Sequence, residues 1–230
     1  MQVPLAAILS GGKATRMGCD KALLEIQGVP LIERVWRNAA PLAGRVVVVG
    51  GGSYLEHRGV PTVPDRFPGA GALGGVGTAL AHAGEALGPG AWVLVLACDM
   101  PFVQAGLIRL LWARREGVRI VVPRTSLGYE PLCALYRADV AGVVEDQIRQ
   151  GDLRLSTVFR RVSTRAVPEP ELRAVDPGLR SFLNLNRPDD VERVRQLLLR
   201  AGACGASAPG SARPGAASCG AGGRSCRRSG

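Results

Sequence analysis

Apolar runs alternate with amphipathic stretches along most of the chain. Short continuous runs rich in Val, Leu and Ala predict buried strands at 5–9, 45–49, 62–63, 92–97, 119–122 and 132–136. Between them, apolar positions at helical spacing predict helices over 30–40, 75–87, 104–116, 139–150 and 188–200. Pro30 and Pro188 stand where a first helical turn tolerates a residue without an N–H. Asp189, Asp190 and Glu192 suit the positive end of the last helix. Strands too apolar to show a wet face, alternating with helices, predict an α/β fold. The expected architecture is a three-layer sandwich around a mostly parallel, Rossmann-like sheet. After Arg200 the pattern stops and only Gly, Ala, Ser, Pro, Arg and Cys remain. Such a segment buries too little apolar surface to offset its ordering entropy. The expectation is a single domain over 1–200 and a disordered low-complexity tail over 201–230.

Composition narrows the class. A chain of 230 residues, 47% of them apolar, suffices for one substantial core. No apolar run approaches the roughly eighteen residues of a membrane-spanning helix. Met1-Gln2-Val3-Pro4-Leu5 lacks the charged start of a signal peptide, so the expected location is the cytoplasm. Cys19, Cys98 and Cys133 are scattered, and Cys204, Cys219 and Cys226 form no C-x-x-C pair. Reduced thiols are therefore expected, without disulfides or zinc.

The formal charge of +10 owes four arginines, with no acid, to residues 201–230. The remainder is spread without a basic run, which suits steering of a phosphate-rich substrate. Aromatics at 4% leave few platforms for stacking nucleic-acid bases. Of 29 basic residues only Lys13 and Lys21 are lysines. In a chain that writes Arg wherever either would do, a Lys at position 21 marks a need for a compact ammonium.

The candidate chemistry starts where the first strand ends, at Leu9-Ser10-Gly11-Gly12-Lys13-Ala14-Thr15-Arg16-Met17-Gly18-Cys19-Asp20-Lys21. At the carboxyl edge of a parallel sheet, a glycine pair lets backbone N–H groups close on an anion. Arg16 and Lys21 bring two cations to the same phosphates. The spacing is neither a P-loop nor a dinucleotide fingerprint. A second run, Trp92 to Ala97, ends in Cys98-Asp99-Met100-Pro101. This puts Asp99 at the same edge, where a hard carboxylate oxygen suits Mg2+ already bound to phosphates. The competing reading makes Asp99 a cap for the helix near Gln104.

The pattern L-S/A-G-G-x-x-x-R-M-G-x-D-K-x-L-L, followed by Gly28-Val29-Pro30-Leu31-Ile32, resembles the signature of the molybdenum cofactor guanylyltransferase family. That family sits among the wider nucleotidyltransferases, which implies a sheet of the nucleotidyltransferase type. The resemblance implies that Leu9, Ser10, Gly11, Gly12 and Lys21 hold the nucleotide, that Asp65 binds the nucleoside, and that Asp99 holds Mg2+. Asp65 reads equally well as a turn cap. Gly71-Ala72-Leu73-Gly74-Gly75 resembles the family's G-P-L-x-G loop, with Ala72 in place of proline, and puts Gly75 beside the acceptor. Glu130-Pro131-Leu132-Cys133-Ala134-Leu135-Tyr136 resembles a segment bordering the acceptor pocket, and Gly151-Asp152-Leu153-Arg154-Leu155 a G-x-x-R-L element. Ser181-Phe182-Leu183-Asn184-Leu185-Asn186-Arg187-Pro188-Asp189-Asp190 resembles F-x-N-I/V-N-T-P-E/D-E/D, with Arg187 for threonine. A strand there would set Asn184 and Asn186 on one face, toward the acceptor or a metal-bound water. Helix capping before Pro188 is the other reading. The family often carries a base-reading asparagine after the second strand, whereas this chain has Gly50-Gly51-Gly52.

The implied reaction moves GMP from GTP to the terminal phosphate of molybdenum-molybdopterin and releases pyrophosphate. Arg16, Lys21 and Asp99 are the expected catalytic residues, and Mg2+ the cofactor. Apo-molybdoenzymes or cofactor-handling proteins are the possible further partners, with no nucleic acid and no membrane. CTP in place of GTP, or another phosphorylated small molecule as acceptor, remains open. An idle carrier of the pterin has no need of all three charged residues. His57 and His82 are isolated, without the partners of a nucleophilic triad. Trp36, Trp92 and Trp112 fall at core-like positions.

Overall fold

The longest apolar runs become the centre of the sheet. The computed structural model describes residues 2–11, 20–185 and 190. The expected helix over 188–200, apart from residue 190, and the segment 201–230 lie outside the described residues. Strand β1 (Val3–Leu9) pairs in parallel with β4 (Ala43–Val49) on one side and β6 (Trp92–Ala97) on the other. β5 (Thr62–Val63) extends the β4 side. Beyond β6 lie β9 (Cys133–Arg137), β7 (Ile120–Thr125) and β10 (Thr164–Pro168), and the short β8 (Gly128–Tyr129) pairs with β7. The order β10-β7-β9-β6-β1-β4-β5 contains one long antiparallel strand, β9, so the expectation of a mostly parallel sheet holds. A separate hairpin joins β2 (Glu25–Ile26) to β3 (Val29–Pro30). Gln27 and Gly28 turn it with φ of 52° and 71°, as a two-residue hairpin loop requires.

Both faces of the sheet are covered, so its strands need no polar side. Ala6 and Ile8 of β1 and Leu94 and Leu96 of β6 join one core. Ile32, Val35 and Ala39 of α1 (Leu31–Ala39), Leu107, Ile108 and Leu111 of α3 (Ala105–Ala113), and Leu172 of α6 (Glu169–Val175) close it. Leu5, Ala7 and Leu9, with Val93 and Val95, face the other core. There they meet Leu73, Val76 and Leu80 of α2 (Gly71–Leu87), Val144 of α4 (Ala141–Arg149), and Val158 of α5 (Leu155–Arg161). Alternating side-chain direction along each strand produces these two layers of contact. The three-layer sandwich expected from the sequence is the one observed.

Helix α2 begins four residues before the expected 75–87, and its glycines explain why. A Cβ at Gly74 would lie 2.7 Å from the Phe67 carbonyl oxygen, and one at Gly75 3.1 Å from Leu9 Cδ1. Glycine, poor for helix propensity, is here the condition for close packing of α2 on the sheet. Helix α1 packs on one face and α2 on the other, with β1 between β4 and β6. The carboxyl end of β1 is thus where the connections diverge to opposite faces, the place where open α/β sheets leave a crevice.

Candidate active site

Three parallel strand ends converge at that crevice. The β1–β4 ladder continues one rung past Leu9, with Ser10 N–H donating to the Val49 carbonyl at 2.9 Å. The Ser10 hydroxyl donates to the carbonyls of Val49 and Gly51, both at 3.2 Å. Gly50, with φ of 123°, passes so close that a Cβ would lie 3.0 Å from Gly11 N and 3.1 Å from Ser10 Oγ. A Cβ on Gly11, in contrast, would find nothing within 4 Å. The backbone at Ser10 and Gly11 is therefore held from behind, and among the described residues nothing stands against Gly11 in front.

On the other side of β1, Cys98 N–H donates to the Leu9 carbonyl at 3.1 Å, so Asp99 emerges next to the same loop. Lys21 Nζ stands 3.7 Å from Asp99 Oδ2, with the two side chains 29% and 18% exposed. Burial pushes the Asp99 carboxyl up, and the Lys21 ammonium opposes the shift. Lys21 opens a 3-10 turn, Lys21–Leu23, capped by Asp20, whose Oδ1 accepts from Ala22 N–H at 3.0 Å. The hydroxyl of Tyr54 donates to the other Asp20 oxygen. Cys98 is a neutral filler here, its thiol pushed up to about 12 by burial first and by Asp99 second.

The segment carrying Asn184 reaches the same place. Leu185 N–H donates to the Asp99 carbonyl at 3.2 Å, with Leu185 buried and Asn184 exposed. Among the described residues 183–185 form no strand, and the chain makes a 3-10 turn at Arg180–Phe182 just before them. Asp65 follows β5 at the same edge, and its Oδ1 accepts from Phe67 N–H and from Thr78 Oγ, both at 3.0 Å. Its turn-capping role is thus satisfied through one oxygen. Gly75 touches Leu9, so its lack of a side chain serves the packing of α2 on β1. Glu130, also at this edge, has its carboxyl pushed up by burial, with Thr125 Oγ at 3.4 Å opposing.

Comparison with known proteins shows the family. The profile of the MobA-like NTP transferase domain matches residues 6–167. The molybdenum cofactor guanylyltransferase of Syntrophotalea carbinolica is 32% identical over 215 residues, spanning 90% of this chain and all of that one. That of Desulfosudis oleivorans is 31% identical, over 88% of this chain and 98% of the relative. The chain belongs to the molybdenum cofactor guanylyltransferase family. Among solved structures, molybdopterin-guanine dinucleotide biosynthesis protein A from Archaeoglobus fulgidus superimposes with a TM-score of 0.72 at 28% identity, covering 85% of this chain and 99% of that one. A nucleotidyl transferase from Methanothermobacter thermautotrophicus, 20% identical with a TM-score of 0.64 over 86% and 99% of the two chains, shares the fold.

Within this guanylyltransferase fold, Leu9, Ser10, Gly11, Lys21, Asp65, Gly75, Asp99 and Asn184 all lie along one rim of the sheet. Gly12, Arg16 and Asn186 lie outside the described residues. Two surface cavities open elsewhere. One of about 360 Å³ sits at the opposite rim, between Trp92, Arg115, Arg119 and Arg137, and one of about 190 Å³ lies between Tyr129, Phe159 and Arg160. Neither contains Lys21 or Asp99.

Two arrangements near the candidate site were missed in the sequence. One is the Tyr54–Asp20 contact. The other is Asp176, wholly buried, which accepts from Gln104 Nε2 at 2.9 Å, Arg180 N–H at 3.0 Å and Ser181 N–H at 2.8 Å. Ser181 Oγ in turn accepts from Gln104 N–H at 3.0 Å. This knot fixes the turn that leads to Asn184. The turn signal Asp176-Pro177-Gly178 was its one trace in the sequence.

Proposed function

We propose that this chain transfers GMP from GTP to the terminal phosphate of molybdenum-molybdopterin, releasing pyrophosphate and forming the guanine dinucleotide cofactor. The observation that carries the reading is the approach of Lys21 to Asp99 across the end of β1, beside an open glycine backbone. In the proposed step an oxygen of the acceptor phosphate bonds to the α-phosphorus as the bond from that phosphorus to the bridging β-phosphate oxygen breaks. The attacking oxygen is already anionic, so no general base is required. Alignment and neutralisation of crowded negative charge are what the protein must supply.

Each residue then has a task. The backbone from Leu9 through Gly12 cradles the phosphates, and Lys21 and Arg16 balance their charge. Asp65 faces the nucleoside through the oxygen its turn leaves over. Asn184, Asn186 and Gly75 border the acceptor. No group of three or more metal-ligating side chains occurs among the described residues. A lone carboxylate is nevertheless the donor set that suits Mg2+, which takes one or two carboxylates and draws its other ligands from phosphate and water. Asp99 would hold it, and the bound ion would polarise the α-phosphate and stabilise the leaving pyrophosphate. The reading further takes 1–200 as one catalytic domain and the cytoplasm as its location. No described helix is long and apolar enough to cross a membrane.

The test is pyrophosphate release by the purified full chain with Mg2+, the molybdenum-loaded acceptor and each of GTP, CTP, ATP and UTP. Turnover with GTP alone is the expected result. Turnover with CTP in preference would overturn the guanine assignment, and no turnover with any of the four would overturn the transferase reading.

A further inference from the structure

We infer that Tyr54 is a positioning residue for the transfer: its hydroxyl fixes Asp20, and through Asp20 the turn that presents Lys21 in front of Asp99. The inference rests on the proposed role of Lys21 and adds a residue on a different strand connection. Three observations meet at it. Asp20 caps the Lys21 turn, with one carboxylate oxygen on Ala22 N–H and its carbonyl accepting from Leu23 N–H at 3.0 Å. Its second carboxylate oxygen is taken by the Tyr54 hydroxyl.

The chain around Tyr54 is shaped to allow this contact. Gly52 has φ of 93°, and a Cβ there would lie 2.3 Å from Tyr54 Cζ and 2.6 Å from its hydroxyl oxygen. Only a glycine lets the ring lie back across its own connection and reach the first loop. Tyr54 is partly buried against the core that its neighbour Leu55 joins. Burial and the Asp20 carboxylate push the Tyr54 hydroxyl up to about 12, so it stays a donor at any working pH. The glycine run at 50–52 thus serves close packing at two of its positions. Gly50 lets Ser10 and Gly11 come close, and Gly52 admits the ring that holds Asp20.

The physical need is plain. A lysine stem is flexible, and an ammonium held by a loose turn spends little time on the phosphates. A carboxylate gripped by two donors removes that freedom before substrate arrives.

Steady-state kinetics of the full chain with GTP, Mg2+ and acceptor test this, using Tyr54→Phe, Lys21→Ala and the double variant. Loss of one hydrogen bond to a charged group should lower kcat of Tyr54→Phe roughly tenfold, with the thermal midpoint lowered by only a few degrees. In the Lys21→Ala background the same substitution should have no further effect, because its action passes through Lys21. Wild-type kcat for Tyr54→Phe would overturn the inference, as would an equal loss in both backgrounds. Wild-type turnover by Lys21→Ala would instead overturn the parent reading of Lys21, whatever Tyr54 does.

Discussion

Leu185 hangs from Asp99: its N–H donates to the Asp99 carbonyl at 3.2 Å. The proposed metal-holding carboxylate and the segment that carries Asn184 are therefore one mechanical unit. An acceptor contacted by Asn184 would sit next to the ion at Asp99 without any closing movement.

Replacement of Asn184 by Ala should raise the acceptor KM about tenfold or more, the scale of a lost hydrogen bond to a charged phosphate. The GTP KM should stay put, since the proposed role of Asn184 is to the acceptor and not to the nucleotide. Initial-rate measurements with each substrate varied in turn separate the two. An unchanged acceptor KM would return Asn184 to helix capping.

Lys21→Ala should cut turnover by roughly 10²-fold, the usual cost of removing one preorganised charge from a transition state. The protein should remain folded, because the Lys21 side chain is part of neither apolar core. Burst-free steady-state kinetics beside a melting curve check both halves.

Gly50→Ala and Gly51→Ala should differ sharply although they are neighbours. A Cβ at Gly50 meets backbone atoms of Gly11 at φ of 123°, whereas one at Gly51 finds open space. Strain at Gly50 is worth about 1–3 kcal/mol and should appear as weakened GTP binding in calorimetry. Gly51→Ala should bind as the parent does.

Asp176→Ala should unfold at lower denaturant than the parent, by about 3 kcal/mol, as three donors lose a buried acceptor. Its readout is the urea midpoint. Because the knot sits below the 180–185 turn, the folded fraction should also bind acceptor less well.

Acid sensitivity should track Glu33. Arg37, four residues along α1, and Arg58 each donate to its Oε1 at 2.8 Å. The hydrogen bond from Arg37 first, and the charge of Arg58 next among the favourable influences, hold its carboxyl below the ordinary 4.5. A carboxyl lowered on folding contributes stability in full above 4.5 and loses it as pH falls through the folded value. Urea midpoints of the parent should therefore drop more steeply on acidification below that pH than those of Glu33→Gln. Parallel slopes would show that the triad contributes nothing.

The sheet centre was legible because strands buried on both faces write themselves as uninterrupted apolar runs, as in Trp92–Ala97. β10 was not. It is an edge strand whose one well-buried residue is Val167, and its Arg165 and Pro168 are tolerable only at an edge. Helices α5 and α6 span seven residues each, too few to display a helical period. The site divided the same way. Lys21 and Asp99 were visible because local chemistry, a glycine turn and a carboxylate after an apolar strand, marks them. Tyr54 was invisible because its partner Asp20 lies 34 residues away, and Asp176 showed only its local turn because Gln104, which ties that turn to α3, lies 72 away. Only folding pairs such residues.

Magnesium dependence of GTP binding, measured by calorimetry on the parent and on Asp99→Asn, is the sharpest test of the whole account. If Gly11, Lys21 and Asp99 surround one polyphosphate, adding Mg2+ tightens GTP binding to the parent and leaves the variant unmoved. An equal gain for both proteins would mean that the ion sits away from Asp99, and the proposed chemistry at this edge would fail.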